Sequence, residues 1–343
     1  MPGFPLVLRF RRGFAFRGTY KKERTALRAK PESAMITPET IINEVKKAVV
    51  GKDDVLGLAF TAILARGHIL LEDIPGVGKT TMALAFSKAL GLDYNRVQFT
   101  PDVLPSDIVG FSLLDKDSGQ MQYMPGAILC NLFLADELNR ATSRTQSALL
   151  EAMEEGRVTV DGETHNVPDP FVVIATQNPV GSSGTQLLPE SQLDRFMVRL
   201  SLGYPSPADE LDLLQRKQKG NPVDKVQRVA ERQELAMMRA ETDSVYVSQK
   251  IMEYVIRLST TSRVNPNVLH GASPRASIAV ASMAKAMAYI HGRDFVIPDD
   301  VKYIYPATVT HRLLLTAEAK ASGKTARSVV DDIIAMTAVP DVR

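Results

Sequence analysis

The chain after residue 36 alternates between apolar residues at helical spacing and short continuous apolar runs. Thr37 followed by Pro38 is typical of a helix start, and apolar residues then recur at helical spacing. A second helix is expected over residues 53–66. Apolar runs of strand length occur at residues 68–72, 96–99, 132–136, 171–175 and 197–202. Because helical segments separate these runs, the pattern predicts an α/β fold with a parallel sheet covered on both faces.

Two stretches between the predicted strands have the pattern of β-hairpins. The first covers residues 108–124 and turns around residues 116–119. The second covers residues 157–167 and turns at Asp161 and Gly162, a pair that tolerates the backbone of a tight hairpin turn. Both hairpins interrupt the alternation of strands and helices, so we expect them to be working loops.

The segment between the hairpins predicts a helix over residues 144–155. Ser143 and Gln146 have the spacing of a capping box, in which two side chains satisfy backbone N–H groups at the helix start. Gly156 follows the last apolar position and suits the left-handed residue that ends many helices.

After Tyr204 strand patterns disappear, and the chain is expected to be helical. The change occurs at a Pro-Ser-Pro tripeptide, residues 205–207. Helical spacing then recurs at residues 208–219, 248–262, 274–292, 298–315 and 326–336. We predict a sheet domain over residues 36–204, followed by a smaller all-helical domain over residues 205–343.

The composition is that of an ordinary globular protein of about two domains. Of the 343 residues, 45% are hydrophobic and 23% are charged, and the formal net charge is +2. Residues 1–35 contain nine Lys or Arg and two Glu, whereas the rest of the chain is mildly acidic. The body of the protein therefore has no charge signature of nucleic-acid binding. For residues 1–35 we predict a basic, disordered extension, with an organelle leader or a nucleic-acid arm as alternatives.

The single cysteine and the short apolar runs restrict the compartment. Cys130 cannot form an intramolecular disulfide, so a reducing, cytoplasmic location is expected. Charged residues interrupt every apolar run before the roughly 20 residues that a transmembrane helix needs. We therefore expect no membrane span.

A glycine-rich segment between a predicted strand and a predicted helix is the strongest chemical signal. Residues 75–81 are Pro-Gly-Val-Gly-Lys-Thr-Thr. In such a P-loop the glycines let backbone N–H groups surround phosphates, Lys79 reaches the outer phosphates, and the Thr80 hydroxyl can ligate Mg²⁺. The consensus has glycine at position 73, where this chain has Asp73. The sequence thus predicts a nucleotide site and leaves open how the chain enters its loop.

Polar residues follow two other predicted strands. Asp136 and Glu137 come at the end of the run at residues 132–136, where one carboxylate can hold Mg²⁺ or its water and the other can orient an attacking water. Asn178 follows the run at residues 171–175, and its amide could hold that water near the γ-phosphate. Taken alone, Asn178 is equally typical of a turn before proline.

Six motifs, in order, resemble the MoxR family of AAA+ ATPases from about residue 37 to residue 315. They are LEDIPGVGKTT, LFLADELNRA, LLEAMEEGRVTVDG, VIATQNP, LPESQLDRF and GASPRA. The resemblance implies a P-loop AAA+ domain with an αβα parallel sheet and a helical lid. It also implies a homo-oligomeric ring, usually a hexamer, with ATP and Mg²⁺ between neighbouring copies. In that family aspartate commonly stands where Asp73 does.

The resemblance further implies roles for individual residues. Nucleotide contacts are expected from Val50, Gly51, Pro75, Gly76, Val77, Gly78, Lys79, Thr80 and Thr81. Ligands of Mg²⁺ are expected at Thr80 and Asp136. The catalytic roles fall to Glu137 in water activation, Asn178 as sensor 1, Arg195 as an arginine finger and Arg275 as sensor 2.

The sequence leaves the arginine assignments open. Arg195 resembles the finger offered to the adjacent copy, and Arg140 is the second choice for that contact. A structural ion pair of Arg195 with Asp194 or Glu190 is the alternative. Arg275 resembles the sensor that reaches from the lid to the nucleotide, and a cation at a helix start favours an anionic partner.

The implied function is ATP-driven, chaperone-like remodelling, activation or assembly of client proteins. Partners with a von Willebrand factor A domain are common in that family. Alternatives are a magnesium-chelatase-like motor subunit, a DNA-stimulated motor and a nucleotide-gated scaffold that barely hydrolyses ATP. The second hairpin has Asp161 and Glu163 beside Arg157 and His165 and no stacking aromatics, so nucleic acid is not an expected partner. Glu137 argues against the scaffold.

Overall fold

The computed structural model describes residues 36–117, 119–178 and 188–341, so the prediction for residues 1–35 lies outside the described residues. The helices are α1 (Pro38–Val45), α2 (Asp53–Leu64), α3 (Lys79–Ala89), α4 (Pro105–Val109), α5 (Ser143–Glu155), α6 (Glu190–Leu193), α7 (Pro207–Gln218), α8 (Arg232–Asp243), α9 (Gln249–Val264), α10 (Pro274–Ile290), α11 (Pro298–Val309), α12 (Ala317–Ala321) and α13 (Ala326–Met336). The strands are β1 (Ile69–Glu72), β2 (Tyr94–Gln98), β3 (Gly110–Leu114), β4 (Met121–Pro125), β5 (Leu132–Asp136), β6 (Arg157–Val160), β7 (Glu163–Asn166), β8 (Val172–Gln177), β9 (Val198–Leu200), β10 (Val268–His270) and β11 (Leu314–Leu315). Within these ranges, no helix has both the length and the apolar character needed to cross a bilayer.

A five-stranded parallel sheet in the order β2-β5-β8-β1-β9 forms the centre of the fold. Successive strand residues point to opposite faces, so β1 places Ile69 and Leu71 in one hydrophobic cluster and Leu70 in the other. Strands β5 and β8 are buried along their whole length. The predicted α/β sheet with apolar cover on both faces is confirmed.

Different helices cover the two faces of the sheet. The first cluster combines α1, α2 and α3 with the C-terminal helices, from Leu235 in α8 to Ile333 in α13. The second cluster contains apolar residues of α4 and α5 and Val158 of β6. The helical lid therefore shares one hydrophobic core with the sheet, and the division at residue 204 stays a prediction.

Both predicted hairpins are present. In the first, β3 pairs with β4 and sets Phe111 opposite Met124. In the second, β6 pairs with β7 across a turn in which Asp161 and Gly162 have φ of 50° and 86°. The rings of Tyr123 and His165 stack with centroids 3.6 Å apart, so the hairpins contact each other. Helix α4, just before β3, was not predicted.

The predicted capping box at the start of α5 is wrong. The helix begins at Ser143, and Thr142 is its N-cap, with Oγ1 accepting from the Thr145 N–H at 3.3 Å. Gln146 is buried and donates to two main-chain carbonyls before the helix. Thr142 caps the helix because its backbone is extended, whereas Ser143 already has helical backbone. Gly156, with φ of 64°, ends the helix as predicted.

The C-terminal region differs from its prediction in several places, one of which is the unpredicted short helix α12. Strands β10 and β11 form an antiparallel pair, so the expectation of no strands was wrong. Strands of two or three residues are too short to show an alternating pattern. Helix α8 was not predicted, and the helix expected over residues 298–315 ends at Val309. A 3₁₀ turn follows it at Thr310–Arg312, and the Arg312 side chain there donates to the carbonyls of Asp194 and Phe196.

Candidate active site

The loop between β1 and α3 contains the glycine-rich segment predicted to bind phosphates. Gly76 and Gly78 have φ of 86° and 99°, in the left-handed region that favours glycine. A Cβ built at either residue would have no atom within 4 Å, so the loop borders open space. Gly78 is also the N-cap of α3, whose first turn has no acidic residue. The backbone N–H groups at this helix start can therefore receive an anion.

Lys79, the first residue of α3, extends its side chain to the ends of two strands. Its Nζ donates to the Asp73 carbonyl at 2.5 Å and to Asn178 Oδ1 at 3.2 Å. Burial lowers the pKa of this ammonium group, although the charges of Asp73, Asp136 and Glu137 act in the opposite direction. Because both direct partners are neutral oxygens, a phosphate would be a stronger partner for this charge.

Asp136 ends β5, and both of its carboxylate oxygens accept hydrogen bonds. Thr176 in β8 donates its hydroxyl to Oδ1 at 2.6 Å. Arg96 in β2 donates to Oδ2 through Nε at 3.2 Å and through a terminal nitrogen at 2.7 Å. Arg96 was not predicted as a site residue, because a strand pattern does not show which side chain a residue meets on the next strand. The carboxylate is thus held in place from two neighbouring strands.

Glu137 follows β5 with a left-handed φ of 57°, which is uncommon for a residue with a side chain. The Glu137 N–H donates to Thr176 Oγ1 at 2.9 Å and supports this backbone. The Glu137 carboxylate accepts from Asn178 Nδ2 at 3.3 Å and from Arg140 at 2.8 Å. The glutamate predicted to activate water therefore lies between an amide and a guanidinium group.

Asn178 connects the lysine and the glutamate, since its amide contacts both Lys79 and Glu137. The carboxyl ends of β1, β5 and β8 meet at one edge of the sheet, which is why residues 99 positions apart in sequence converge here. Arg140 belongs to the same cluster and pairs with Glu137 of its own chain.

The predicted Mg²⁺ ligands, Thr80 and Asp136, lie at this edge of the sheet. The remaining predicted phosphate-loop contacts occupy the same loop or the first turn of α3, namely Pro75, Val77 and Thr81. Across the described ranges, no group of three His, Cys, Asp or Glu side chains could hold a metal ion. Since Mg²⁺ at phosphate sites takes only one or two protein oxygens, these residues fit a Mg²⁺-nucleotide complex.

Asp73, the departure from the P-loop consensus, has a structural role. Its Oδ1 accepts from Ser201 Oγ at 2.9 Å and from the Gly203 N–H at 3.1 Å. Its Oδ2 accepts from the Leu202 N–H. The aspartate therefore ties the entrance of the P-loop to the chain that leaves β9.

Val50 and Gly51, predicted to contact adenine, lie in the loop between α1 and α2. Gly51 has φ of 69°, and a Cβ there would collide with the Asp209 carboxylate of α7. Helix α1 packs against α3, which begins at the P-loop. The adenine contact of this loop stays a prediction.

Arg195 and Arg275 do not join this cluster. Both side chains contact the Glu154 carboxylate at the end of α5, with Arg195 Nε 3.1 Å from it. Nearby, the Met197 N–H donates to the His68 carbonyl at 2.8 Å, just before β1 begins. The two arginines thus lie where the strands start, whereas the P-loop lies where they end.

The sheet separates the two arginines from the P-loop of the same chain. The backbone from His68 to Asp73 is extended over five residues, a span of about 16 Å. Arg195 pairs with Glu154 and not with Asp194 or Glu190. In this structure both arginines therefore lie away from the P-loop of their own chain, and their contact with nucleotide stays a prediction.

The chain is similar to known proteins over most of its length. Residues 68–198 match the family described as "ATPase family associated with various cellular activities (AAA)", and residues 260–333 match "AAA lid domain". YeaC of Bacillus subtilis is 46% identical over 87% of this chain and 93% of its own length. Chaperone MoxR1 of Mycobacterium tuberculosis is 36% identical over 89% of this chain and 83% of its own. A crystal structure of a putative ATPase from Cytophaga hutchinsonii has a TM-score of 0.82 at 36% identity, covering 88% of this chain and 94% of that one.

Proposed function

From the premise that this chain belongs to the MoxR family of AAA+ ATPases and is an ATPase, we propose that it couples Mg²⁺-dependent ATP hydrolysis to the remodelling, activation or assembly of client proteins. The observation that carries the proposal is the contact of Lys79 and Glu137 with one Asn178 side chain. At this position, a γ-phosphate bound by Lys79 would lie next to a water molecule oriented by Glu137. The described residues form a sheet region and a helical lid. We therefore propose that the energy released by ATP hydrolysis drives movement of the protein.

The phosphates bind at the start of α3 in this proposal. Backbone N–H groups of residues 76–78 and the Lys79 ammonium surround the β- and γ-phosphates. The Thr80 hydroxyl and Asp136 hold Mg²⁺, which neutralises phosphate charge when bound. Arg96 keeps Asp136 oriented toward that position.

Water activation belongs to Glu137 in this proposal. Among the described residues, its Oε1 accepts one hydrogen bond, a 3.3 Å contact from Asn178, so this oxygen can turn to a water and accept its proton. Arg140 holds the other oxygen at 2.8 Å and keeps the carboxylate in place. Asn178 then binds the same water or the γ-phosphate.

A ring of copies completes the site in this proposal. Arg195 and Arg275 lie on the sheet edge opposite the P-loop and are partly exposed, which suits contact with the nucleotide of an adjacent copy. An arginine that stabilises a phosphoryl-transfer transition state contributes roughly 10³–10⁵ in rate. We propose a hexamer, as the family resemblance implies.

Client contact is assigned to the first hairpin. Phe111, Leu113 and Met124 are exposed on one face of β3 and β4, and exposed apolar patches commonly mark interaction sites. A similar protein is named a chaperone. From the family resemblance we propose a partner with a von Willebrand factor A domain and a cytoplasmic location.

The experiment is phosphate release by purified protein and two variants. The unchanged protein should hydrolyse ATP only with Mg²⁺ and at concentrations that allow assembly. Lys79→Ala should lose ATP binding. Glu137→Gln should keep ATP binding and lose about 10²–10⁴ in turnover, since the group that accepts the proton is gone.

Lys88→Ala is the matched control, because Lys88 lies on the same helix and its ammonium group contacts the Val223 carbonyl and Asp224. It should retain turnover within twofold. An unchanged protein that releases no phosphate under any assembling condition would contradict the proposal. The Glu137→Gln variant also tests client binding. In the presence of ATP it should retain a bound client protein, and replacement of ATP by ADP should release that protein.

A further inference from the structure

The sheet edge opposite the P-loop contains a cavity of about 220 Å³ lined by four arginines. Arg66 pairs with Asp243, and Arg312 is buried against Asp194. The other two arginines, Arg195 and Arg275, share a single carboxylate, that of Glu154. Two guanidinium groups with one carboxylate leave a surplus positive charge at this site.

The backbones that carry these arginines are anchored to each other. The Arg312 side chain donates to Asp194 Oδ1 at 2.7 Å and to the carbonyls of Asp194 and Phe196, which flank Arg195. Ser273, the N-cap of α10, donates to the other Asp194 oxygen at 3.3 Å. These hydrogen bonds thus connect the lid segment before Arg275 to the turn that carries Arg195.

The side chains themselves depend on Glu154. Two adjacent guanidinium groups repel each other, and Arg275 lies in the first turn of α10, where a cation is unfavourable. The Glu154 carboxylate lies 3.1 Å from Arg195 Nε and contacts a terminal nitrogen of Arg275. Arg195 has five N–H donors on its guanidinium group, so it can contact Glu154 and still donate to a second anion. The exposed fractions of the arginine side chains, 31% and 46%, make them accessible to another copy.

We propose that Glu154 is a positioning residue for hydrolysis in the adjacent copy, because it holds Arg195 and Arg275 side by side for that copy's γ-phosphate. This inference rests on the proposed ring with nucleotide between copies. Displacement of a catalytic group by about 1 Å can cost about 100-fold in rate. Loss of the Glu154 charge should therefore slow hydrolysis without weakening ATP binding.

The first experiment compares steady-state hydrolysis by Glu154→Gln and Glu151→Gln. Glu154→Gln should lower kcat about 10- to 100-fold, with ATP affinity and ATP-dependent assembly within twofold of the unchanged protein. Glu151 is an exposed carboxylate one turn earlier on α5, without an ion pair in the described part of the chain, and its variant should match the unchanged protein. Equal losses in the two variants, or a kcat for Glu154→Gln within twofold of normal, would overturn the inference.

The second experiment separates positioning from damage to the fold. In a mixed ring, a Glu154→Gln copy can bind ATP at its intact P-loop beside a Glu137→Gln copy whose Glu154 is intact. A site between such copies has both an intact Glu137 and correctly held arginines, so the two defects complement each other. Single-turnover hydrolysis by the mixture should exceed the summed rates of the separate variants severalfold. No gain on mixing, or loss of assembly by Glu154→Gln, would overturn the inference. Normal activity of the unchanged protein and its loss in Lys79→Ala would still support the proposed function.

Discussion

Asp73 shows how one side chain connects the phosphate loop to a distant segment. Its carboxylate accepts three hydrogen bonds from residues 201–203, and its carbonyl accepts from Lys79 Nζ. A glycine at this position would still provide the main-chain carbonyl for Lys79, but it has no side chain to accept hydrogen bonds from the three donors. The aspartate therefore links Lys79, the residue proposed to bind phosphate, to the chain that leads into α7.

Asp73→Ala should lower the free energy of unfolding by about 3 kcal/mol, because it leaves the buried Leu202 N–H and the Gly203 N–H without an acceptor. Ser201→Ala removes one exposed donor and leaves the carboxylate its other two partners, so it should cost at most about 1 kcal/mol. Urea denaturation of both variants measures the difference. Equal costs would show that the contacts to residues 202 and 203 contribute little.

Helix α5 connects the two functional edges of the sheet. It begins three residues after Arg140, beside Glu137, and Glu154 in its last turn contacts Arg195 and Arg275. Thirteen residues at 1.5 Å per residue span about 20 Å, enough to cross the sheet from one edge to the other. The second hairpin starts directly after the helix. One helix thus joins the candidate active site, the arginine pair proposed to contact the next copy, and the second hairpin.

The start of α5 provides a test of its cap. Thr142→Ala should lower the free energy of unfolding by about 1 kcal/mol, because the Thr145 N–H loses its side-chain acceptor. Ser143→Ala should change it by less than about 0.5 kcal/mol, since Ser143 lies inside the helix. Thermal or urea denaturation of the two variants measures both effects. A larger cost for Ser143→Ala would restore the capping box expected from sequence.

At the scale of the whole molecule, two buried histidines join the sheet to the elements that cover it. His68 accepts from the Val173 N–H at 2.9 Å and contacts the Met153 carbonyl at 3.0 Å. His311 contacts the Phe196 carbonyl at 3.0 Å. Burial lowers the pKa of His68 to about 4 and that of His311 well below its ordinary value. Both histidines are therefore neutral in the folded protein at pH 7.

The stability of the protein should fall as the pH drops below about 6.5. The unfolded His68 takes up a proton near its ordinary pKa of 6.5, whereas the folded one does so only near 4. At pH 5 this difference alone should remove about 2 kcal/mol from the free energy of unfolding, and His311 acts in the same direction. Urea denaturation between pH 7.5 and 5 measures the slope.

Two variants identify the source of that slope. His68→Gln should reduce it, because the titrating group is absent. His270→Gln should leave it unchanged, because His270 is 69% exposed. Identical slopes for His68→Gln and the unchanged protein would contradict the assignment.

Local sequence was sufficient for the P-loop and for the strands of the central sheet, whereas it misplaced the cap of α5 and missed α4 and α8. The P-loop is recognisable from consecutive residues. The strands are recognisable from continuous apolar runs, because successive residues of a strand point to opposite faces of the sheet. Lys79, Glu137 and Asn178 were predicted at strand or helix ends, and parallel strands bring such ends to one edge. For this reason the central contacts of the candidate site could be anticipated.

Only the tertiary structure decided which side chains meet across the fold. Arg96 is 40 residues from Asp136, and Arg275 is 121 residues from Glu154. No periodic pattern marks such partners, because they depend on strand register and on how the helices pack over the whole chain. The same holds for Arg195. The sequence suggested Asp194 or Glu190 as its ion-pair partner, whereas the structure shows Glu154. A residue's neighbours along the chain determine its backbone period, whereas its contacts in space depend on every element that must share the core.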